Sequence, residues 1–338
     1  MSVSVKDVAM RAGVSVGTVS NVMNRPAKVS PQTAERVQAA IDELGFVRND
    51  AARQLRAGQS NTIGFVVLDV RNPFFTDLAR GAEDYAAKDG RSILLGNSDQ
   101  NADREAAYLD LFEEQRVHGL LISPLGDVSD RLARLRKRGT PAVLVDRAGE
   151  GSASSSVSVD DVAGGVLAVE HLVSMGRRSI VFVGGPITIR QVADRLQGAR
   201  SVAAAYAGVS LEVIETGALS VIEGRRVGGL ILSRDPADRP DAVFAANDLI
   251  ALGVLQALNM QGAIFVPNEI ALIGYDDIDF ASAAVVSLTS IRQPSALIGQ
   301  TAVEILLEEA ADPSIATRQV VFQPELVVRE SSSRSLPR

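Results

Sequence analysis

Residues 13–17 read Gly-Val-Ser-Val-Gly, the G-x-S-x-G spacing that presents a nucleophilic serine on the strand-to-helix turn of an α/β-hydrolase. That elbow needs a strand entering the serine and most of a sheet already built. Only fourteen residues precede Ser15, and they read as helix. The two histidines offer no alternative chemistry: His118 in RVHGLL and His171 in VEHLVSMG have no partner at triad or metal-ligand spacing. The four lysines follow Val5, Ala27, Ala87 and Arg136, so no Gly-Lys-Ser/Thr phosphate loop exists, and no G-x-G-x-x-G follows a strand. With no cysteine, sulfur-ligated zinc and thiolate catalysis are excluded. Two Asp-Asp pairs remain. Asp160-Asp161 reads as a cap at a helix start, and Asp276-Asp277 stands at a strand end where a ligand would bind. No catalytic residue, metal or cofactor is expected.

The elements that position these residues fall into two textures. Residues 6–12 form a short helix with Val8 and Ala9 inward, stopped by Gly13 in the left-handed conformation. Ser15 then caps a second helix over 16–23, and Ser30, Pro31 and the spacing of Val37, Ile41 and Leu44 mark a third that Gly45 ends. Three short helices with a Gly turn between the first two make a helix-turn-helix. Residues 49–57 (NDAARQLRA) form one more helix only against a partner, because Leu55 is almost their only large apolar side chain.

From Thr62 apolar runs alternate with amphipathic stretches. TIGFVVLDV, SILLGNS, GLLISP and PAVLVDR read as buried parallel strands, with helices near 75–89, 103–116 and 128–138. The pattern restarts with SIVFVGG, LEVIETG, DAVFAAND and IALIGYDD, and with helices near 191–207, 222–234 and 248–261. Two doubly wound halves result. Polar residues at their strand ends, Asp69, Asn97, Asp146, Asn247 and Asp276 among them, lie where open α/β sheets bind ligands.

Composition agrees. A chain of 338 residues, 46% hydrophobic, buries more than one core. No apolar run is long enough to span a membrane, and Lys6 and Asp7 occupy the place of a signal peptide's apolar core, so a cytoplasmic location is expected. The net charge of −7 divides into about +3 over residues 1–60 and about −10 over the rest. A basic head on an acidic body suits nucleic-acid binding by the head.

The strings VKDVAMRAGVSVGTVSNVMN and VSPQTAERVQAAIDELGFVRNDAARQLRAGQSNTIGFVV, followed by NPFF, VDR, FAANDLIALGVLQAL, IALIGYDDIDFA and LTSIRQP, closely resemble the LacI/GalR bacterial transcriptional repressors. The resemblance runs from residue 3 to about 329. It implies an all-α helix-turn-helix headpiece (1–47), a hinge helix and linker (48–60) and an α/β periplasmic-binding-protein-like core (61–330) of two doubly wound parallel-sheet subdomains. The N-subdomain would take about 61–160 and 292–325 and the C-subdomain about 161–291, with a flexible tail over 331–338.

By the same resemblance Val16, Gly17 and Asn21 face base edges in the major groove, while Ser15, Thr18, Ser20, Asn24, Ser30, Thr33 and Asn49 mostly hold phosphates. Leu55 wedges a minor-groove step, with Ala52 close to the DNA and Arg53 or Arg56 near its backbone. Val16 and Gly17 depart from the longer polar side chains many relatives carry there, so operator preference does not transfer. The core also resembles the periplasmic ribose-binding protein, which places Asn72, Phe74, Phe75, Asp146, Arg147, Arg195, Asn247, Asp276 and Gln293 around a sugar. Leu219 replaces an aromatic of that protein. Individual members have plainer readings, Asp146-Arg147 as a strand-end ion pair and Asn247 as a helix cap.

The implied protein is a repressor, bacterial, cytoplasmic and at the nucleoid when bound. Its partners are a pseudo-palindromic double-stranded operator and a small-molecule effector, and no membrane. The effector is a monosaccharide such as ribose, with a nucleoside, purine or hexose as alternatives. SSSRSLPR carries no leucine heptads, so a homodimer is expected. A sugar-binding transport protein without a DNA role would need an export signal and no headpiece.

Overall fold

The computed structural model describes residues 3–46, 60–149, 154–260 and 264–333. It divides into two compact units, residues 1–59 and 60–338. Asn49, Ala52, Arg53, Leu55 and Arg56, and with them the hinge helix, lie outside the described residues.

In the first unit α1 (Val5–Ala12), α2 (Val16–Asn24) and α3 (Pro31–Leu44) surround Val8, Ala9, Ala12, Val19, Val37, Ala40 and Phe46. Ser4 and Asp7 close a capping box on α1, which the sequence reading did not include. Gly13 sits at φ 63°, the left-handed conformation that turns the chain toward α2. A single 3-10 turn, Pro26–Lys28, precedes α3.

The second unit holds two six-stranded sheets. The first contains β1 (Thr62–Val67), β2 (Ser92–Asn97), β3 (Gly119–Ile122), β4 (Ala142–Val145), β5 (Ser155–Val159) and β11 (Gln319–Phe322), ordered β11-β5-β4-β3-β1-β2 and parallel throughout. The second contains β6 (Ser179–Val183), β7 (Ser210–Ile214), β8 (Ala242–Ala245), β9 (Ala271–Asp276), β10 (Thr289–Arg292) and β12 (Glu325–Val327), ordered β12-β10-β9-β8-β6-β7. Only β12 runs antiparallel, against β10. Each sheet reverses strand order once, between β1 and β3 and between β6 and β8, and the crevice beyond the strand ends at such a point is where doubly wound folds bind ligands. The chain passes between the sheets three times, after β5, β10 and β11.

The intervening helices are α4 (Pro73–Lys88), α5 (Ala102–Glu114), α6 (Ser129–Lys137), α7 (Asp161–Ser174), α8 (Arg190–Ala205), α9 (Val221–Leu232), α10 (Asp248–Met260), α11 (Asp279–Ala283) and α12 (Ser295–Ala311). Helix α12 packs on α4 although they are far apart in sequence. Strands β5, β10, β11 and β12 and helix α12 fall outside the alternation read from the sequence. Strand β5, SSVSV, is fully buried although serine supplies three of its five residues. Residues 331 and 332, expected in a flexible tail, belong to the fold. Ser331 and Ser332 are buried, with Ser331 Oγ donating to Leu272 O at 2.6 Å and Ser332 Oγ 2.8 Å from His171 Nε2.

Helices α7 and α8 cross through a glycine pair. A Cβ on Gly165 would meet Arg195 O at 2.1 Å, and one on Gly198 would meet Val162 O at the same distance. Gly165→Ala must push the helices apart, so a loss of about 1–3 kcal/mol is expected, checked by thermal or urea denaturation.

Candidate ligand cleft and nucleic-acid interface

In the first unit two serines do the same local work. Ser15 Oγ accepts the Thr18 N–H at 3.1 Å and lies 3.0 Å from Thr18 Oγ1. Ser30 Oγ accepts the Thr33 N–H at 3.4 Å and donates to Thr33 Oγ1 at 2.9 Å. Both helix starts thus place a pair of hydroxyls at a helix N-terminus, a suitable arrangement for phosphate oxygens. Along α2, Val19 is fully buried while Val16, Gly17 and Asn21 are exposed, so the residues assigned to bases share the outward side of the helix. Ser20 is half-buried, and Asn24 ends the helix. Ser15 is therefore a cap and not an elbow nucleophile: helix precedes it and no strand enters it.

In the second unit the strand ends converge on one cleft. Leu68, Asp69, Asn72, Phe74, Phe75, Gln100 and Asp146 line it from the first half, and Ile189, Gln191, Val192, Arg195, Leu219, Asn247 and Asp276 from the second. Asn72 caps α4, its Oδ1 accepting the Phe74 N–H at 3.1 Å. This fixes the start of α4, where the Phe74 and Phe75 rings meet edge to face with centroids 5.0 Å apart. Asn247 does the same for α10, accepting from Ile250 N at 3.0 Å, so it both caps and lines.

The halves are joined directly across the cleft. Asn72 Nδ2 donates to Asp276 Oδ2 at 2.8 Å, and Gln191 Nε2 donates to Asp146 Oδ2 at 2.9 Å and to Asp146 O. The cavity among the lining residues is about 30 Å³, smaller than a sugar. A hydroxyl can replace such a direct bond, accepting from the amide and donating to the carboxylate. Asp146 Oδ1, Gln191 Oε1 and Gln293 Oε1 are buried without a hydrogen-bond partner, three further acceptors in and beside the cleft.

Charge is concentrated behind these groups. Arg195, 4% exposed, donates from Nε to Asp161 Oδ1 at 2.8 Å and from Nη1 to Ala246 O at 2.7 Å, lies 4.0 Å from Asp276 and stacks 3.6 Å from the Tyr275 ring centroid. Burial pushes the Asp276 carboxyl up to about 6, against the pull of Arg195, Asn72 and Gln293. Burial, reinforced by the Asp161 charge, raises Asp146 well above the ordinary range.

Of the residues expected around a sugar, the cleft brings together Asn72, Phe74, Phe75, Asp146, Arg195, Leu219, Asn247 and Asp276. Gln293 stands behind the lining, donating from Nε2 to Asp276 Oδ1 at 2.8 Å. Arg147 does not reach the lining and forms no strand-end pair with Asp146, its guanidinium donating instead to Gly126 O. Asp146 has φ 58°, a left-handed turn at the strand end. The Asp160-Asp161 reading needs correction: Asp160 alone caps α7, at 2.9 Å from Ala163 N, while Asp161 is buried as the partner of Arg195. Gln191, one turn before Arg195 on α8, was absent from the sequence reading. Its four-residue spacing from Arg195 was the available signal.

The model for bacterial regulatory proteins of the lacI family matches residues 4–49, and that for the periplasmic binding protein-like domain matches 169–332. The chain is 33% identical over 331 residues to the HTH-type transcriptional repressor PurR of Aliivibrio fischeri (strain MJ11), covering 97% of this chain and 98% of that protein. It is 34% identical over 339 residues to the ribose operon repressor of Escherichia coli (strain K12), covering 97% and 99%. The crystal structure of the lac repressor dimer bound to operator and the anti-inducer ONPF is similar with a TM-score of 0.83 and 28% identity, over 98% of this chain and 99% of that one.

Proposed function

The chain belongs to the lacI family of bacterial regulatory proteins, and on that footing we propose that it is a dimeric transcriptional repressor whose operator affinity is set by a monosaccharide, D-ribose foremost. The observation that carries the sugar reading is a pair of buried carboxylates, Asp146 and Asp276, facing one cleft from its two halves beside the Phe74 and Phe75 rings. Carboxylate oxygens accept, so they select a ligand rich in hydroxyl donors, while aromatic rings cover the apolar face of a sugar. A purine also carries N–H donors, but fewer than a sugar has hydroxyls, and its flat ring leaves these oxygens less fully served. The similarity to a PurR repressor makes a purine the second compound to test.

The first unit reads DNA through the outward side of α2. Val16 offers apolar contact to a thymine methyl, Gly17 leaves room for close approach, and Asn21 supplies a donor and an acceptor to a base edge. Ser15, Thr18, Ser20, Asn24, Ser30 and Thr33 set its register on phosphates. The expectation that Asn49, Ala52, Arg53, Leu55 and Arg56 add minor-groove contacts concerns residues outside those described. A two-fold dimer, as in the similar operator-bound lac repressor, binds a pseudo-palindrome. Ligand between the core halves changes their separation, and the difference in its affinity for the two arrangements is the free energy that shifts operator binding.

Selection of bound DNA from a random pool, with and without D-ribose, tests this reading. It is expected to return a two-fold symmetric site whose recovery changes with the sugar. Calorimetric titration with D-ribose, D-xylose, D-glucose, adenosine and hypoxanthine is expected to show tightest binding to ribose. Silence toward all the sugars, or preference for hypoxanthine, refutes the sugar reading while leaving the repressor standing.

A further inference from the structure

We propose that Arg329, in the segment after β12, is a positioning residue for ligand recognition: with Arg292 it grips Asp277 and so holds the neighbouring Asp276 aimed at the cleft. This rests on reading the cleft as a sugar site.

Asp276 and Asp277 have φ of 107° and 55°, two consecutive non-glycine residues in left-handed space. Such a conformation persists only where its surroundings over-determine it. Here they do. The Asp277 side chain is 5% exposed, and each of its carboxylate oxygens has an arginine: Arg292 Nε donates to Oδ2 at 2.8 Å and Arg329 Nη1 to Oδ1 at 2.6 Å. Its backbone N–H donates to Ser290 Oγ at 3.1 Å, and the next N–H, of Ile278, donates to Asp248 Oδ2 at 2.9 Å. Ser290 Oγ in turn donates to Asp248 Oδ1 at 2.7 Å.

Arg329 is itself fixed. Its Nη1 also donates to Leu288 O at 2.8 Å, its backbone N–H donates to Thr289 Oγ1 at 2.8 Å, and Thr289 Oγ1 donates to Arg329 O at 3.0 Å. The two arginines reach Asp277 from chain segments next to two of the three passages between the halves: Arg292 ends β10, and Arg329 follows β12. Arg292 also lies 3.6 Å from Glu325 at the start of β12. Asp277 therefore ties the turn that presents Asp276 to the segments on which the halves must pivot. Arg329 does not line the cleft, so it acts on the ligand only through that turn.

Titration of the full chain with D-ribose tests this, using Arg329→Leu, Asp277→Asn and Arg329→Lys. The first two are expected to weaken ribose binding about tenfold, and Arg329→Lys, which keeps the charge, to recover part of the loss. Adding Arg329→Leu to Asp276→Asn is expected to cost no further affinity, because the group it positions is already gone. Should Arg329→Leu fold poorly, the isosteric Asp277→Asn and the lysine variant carry the same test. Binding within twofold of the unaltered protein overturns the proposal, and so does an equal tenfold loss in the Asp276→Asn background, which marks a general structural effect. An unaltered protein silent toward every sugar overturns the sugar reading together with this inference.

Discussion

Asp276→Asn is expected to weaken D-ribose binding about a hundredfold while leaving thermal stability at pH 7 equal to that of the unaltered protein or above it. The loss follows from replacing an ionised acceptor of two hydroxyls, each hydrogen bond to a charged group contributing about 1.5–3 kcal/mol. The retained stability follows from the sign of the linkage. Burial raises this carboxyl from 3.8 to about 6. The folded protein thus favours the protonated form, and that contribution is complete below 3.8 and lost as pH rises through 6. At pH 7 the fold carries a desolvated charge that asparagine lacks. The amide also fits, since Gln293 can turn its unpartnered Oε1 toward the new N–H while Asn72 continues to donate to the carbonyl. In the unaltered protein ribose affinity should fall as pH drops through about 6, and the variant should lose the part of that dependence that Asp276 carries, Asp146 remaining as the other buried carboxyl of the cleft. Calorimetry from pH 5 to 8, paired with thermal denaturation, checks both parts. A variant that binds ribose normally removes Asp276 from the site.

What was legible in the sequence was whatever short-range chemistry dictates. Ser15, Ser30, Gly13 and Gly45 are caps and turns whose partners lie within four residues, so helix limits in the first unit could be read directly. Strand ends carrying Asp146, Asn247 and Asp276 followed from apolar runs stopping at polar residues. The family resemblance supplied the remaining ligand positions. Groups whose partners arrive from distant segments were not legible. Asp161 sits beside a cap and looks like one, yet its partner Arg195 comes from the next helix. Arg147 follows Asp146 but turns to a carbonyl of another loop. Ser331 and Ser332 end a polar segment typical of a tail, but Leu272, Thr289 and His171 hold them in the second half. Strand β5 is buried on both sides with serines that hydrophobic periodicity does not count, and Ser155 Oγ is satisfied by Glu309 from α12.

Arg195→Met is expected to lower stability by about 3–5 kcal/mol and to abolish ribose binding, and the two losses can be separated. Removing one member of a buried pair strands the other, and here Asp161 has the arginine as its ion-pair partner at 6% side-chain exposure. Asp276 and Asp146 lose the same nearby positive charge, which opposes the burial that already pushes both carboxyls up. Met keeps much of the volume over the Tyr275 ring, so the deficit is electrostatic more than a cavity. Adding Asp161→Leu removes the stranded charge, because a buried ion pair replaced by apolar side chains is often neutral for stability. The double variant should therefore recover most of the lost denaturation midpoint. It should not recover ribose binding, since the guanidinium that lines the second half of the cleft 4.0 Å from Asp276 is still missing. Urea denaturation and ribose titration of the three proteins test this. If binding returns with stability, Arg195 is a packing residue and the ligand is held by the remaining lining side chains. If stability stays low in the double variant, the damage lies in the lost bond to Ala246 O and the helix crossing at Gly165, not in the charge.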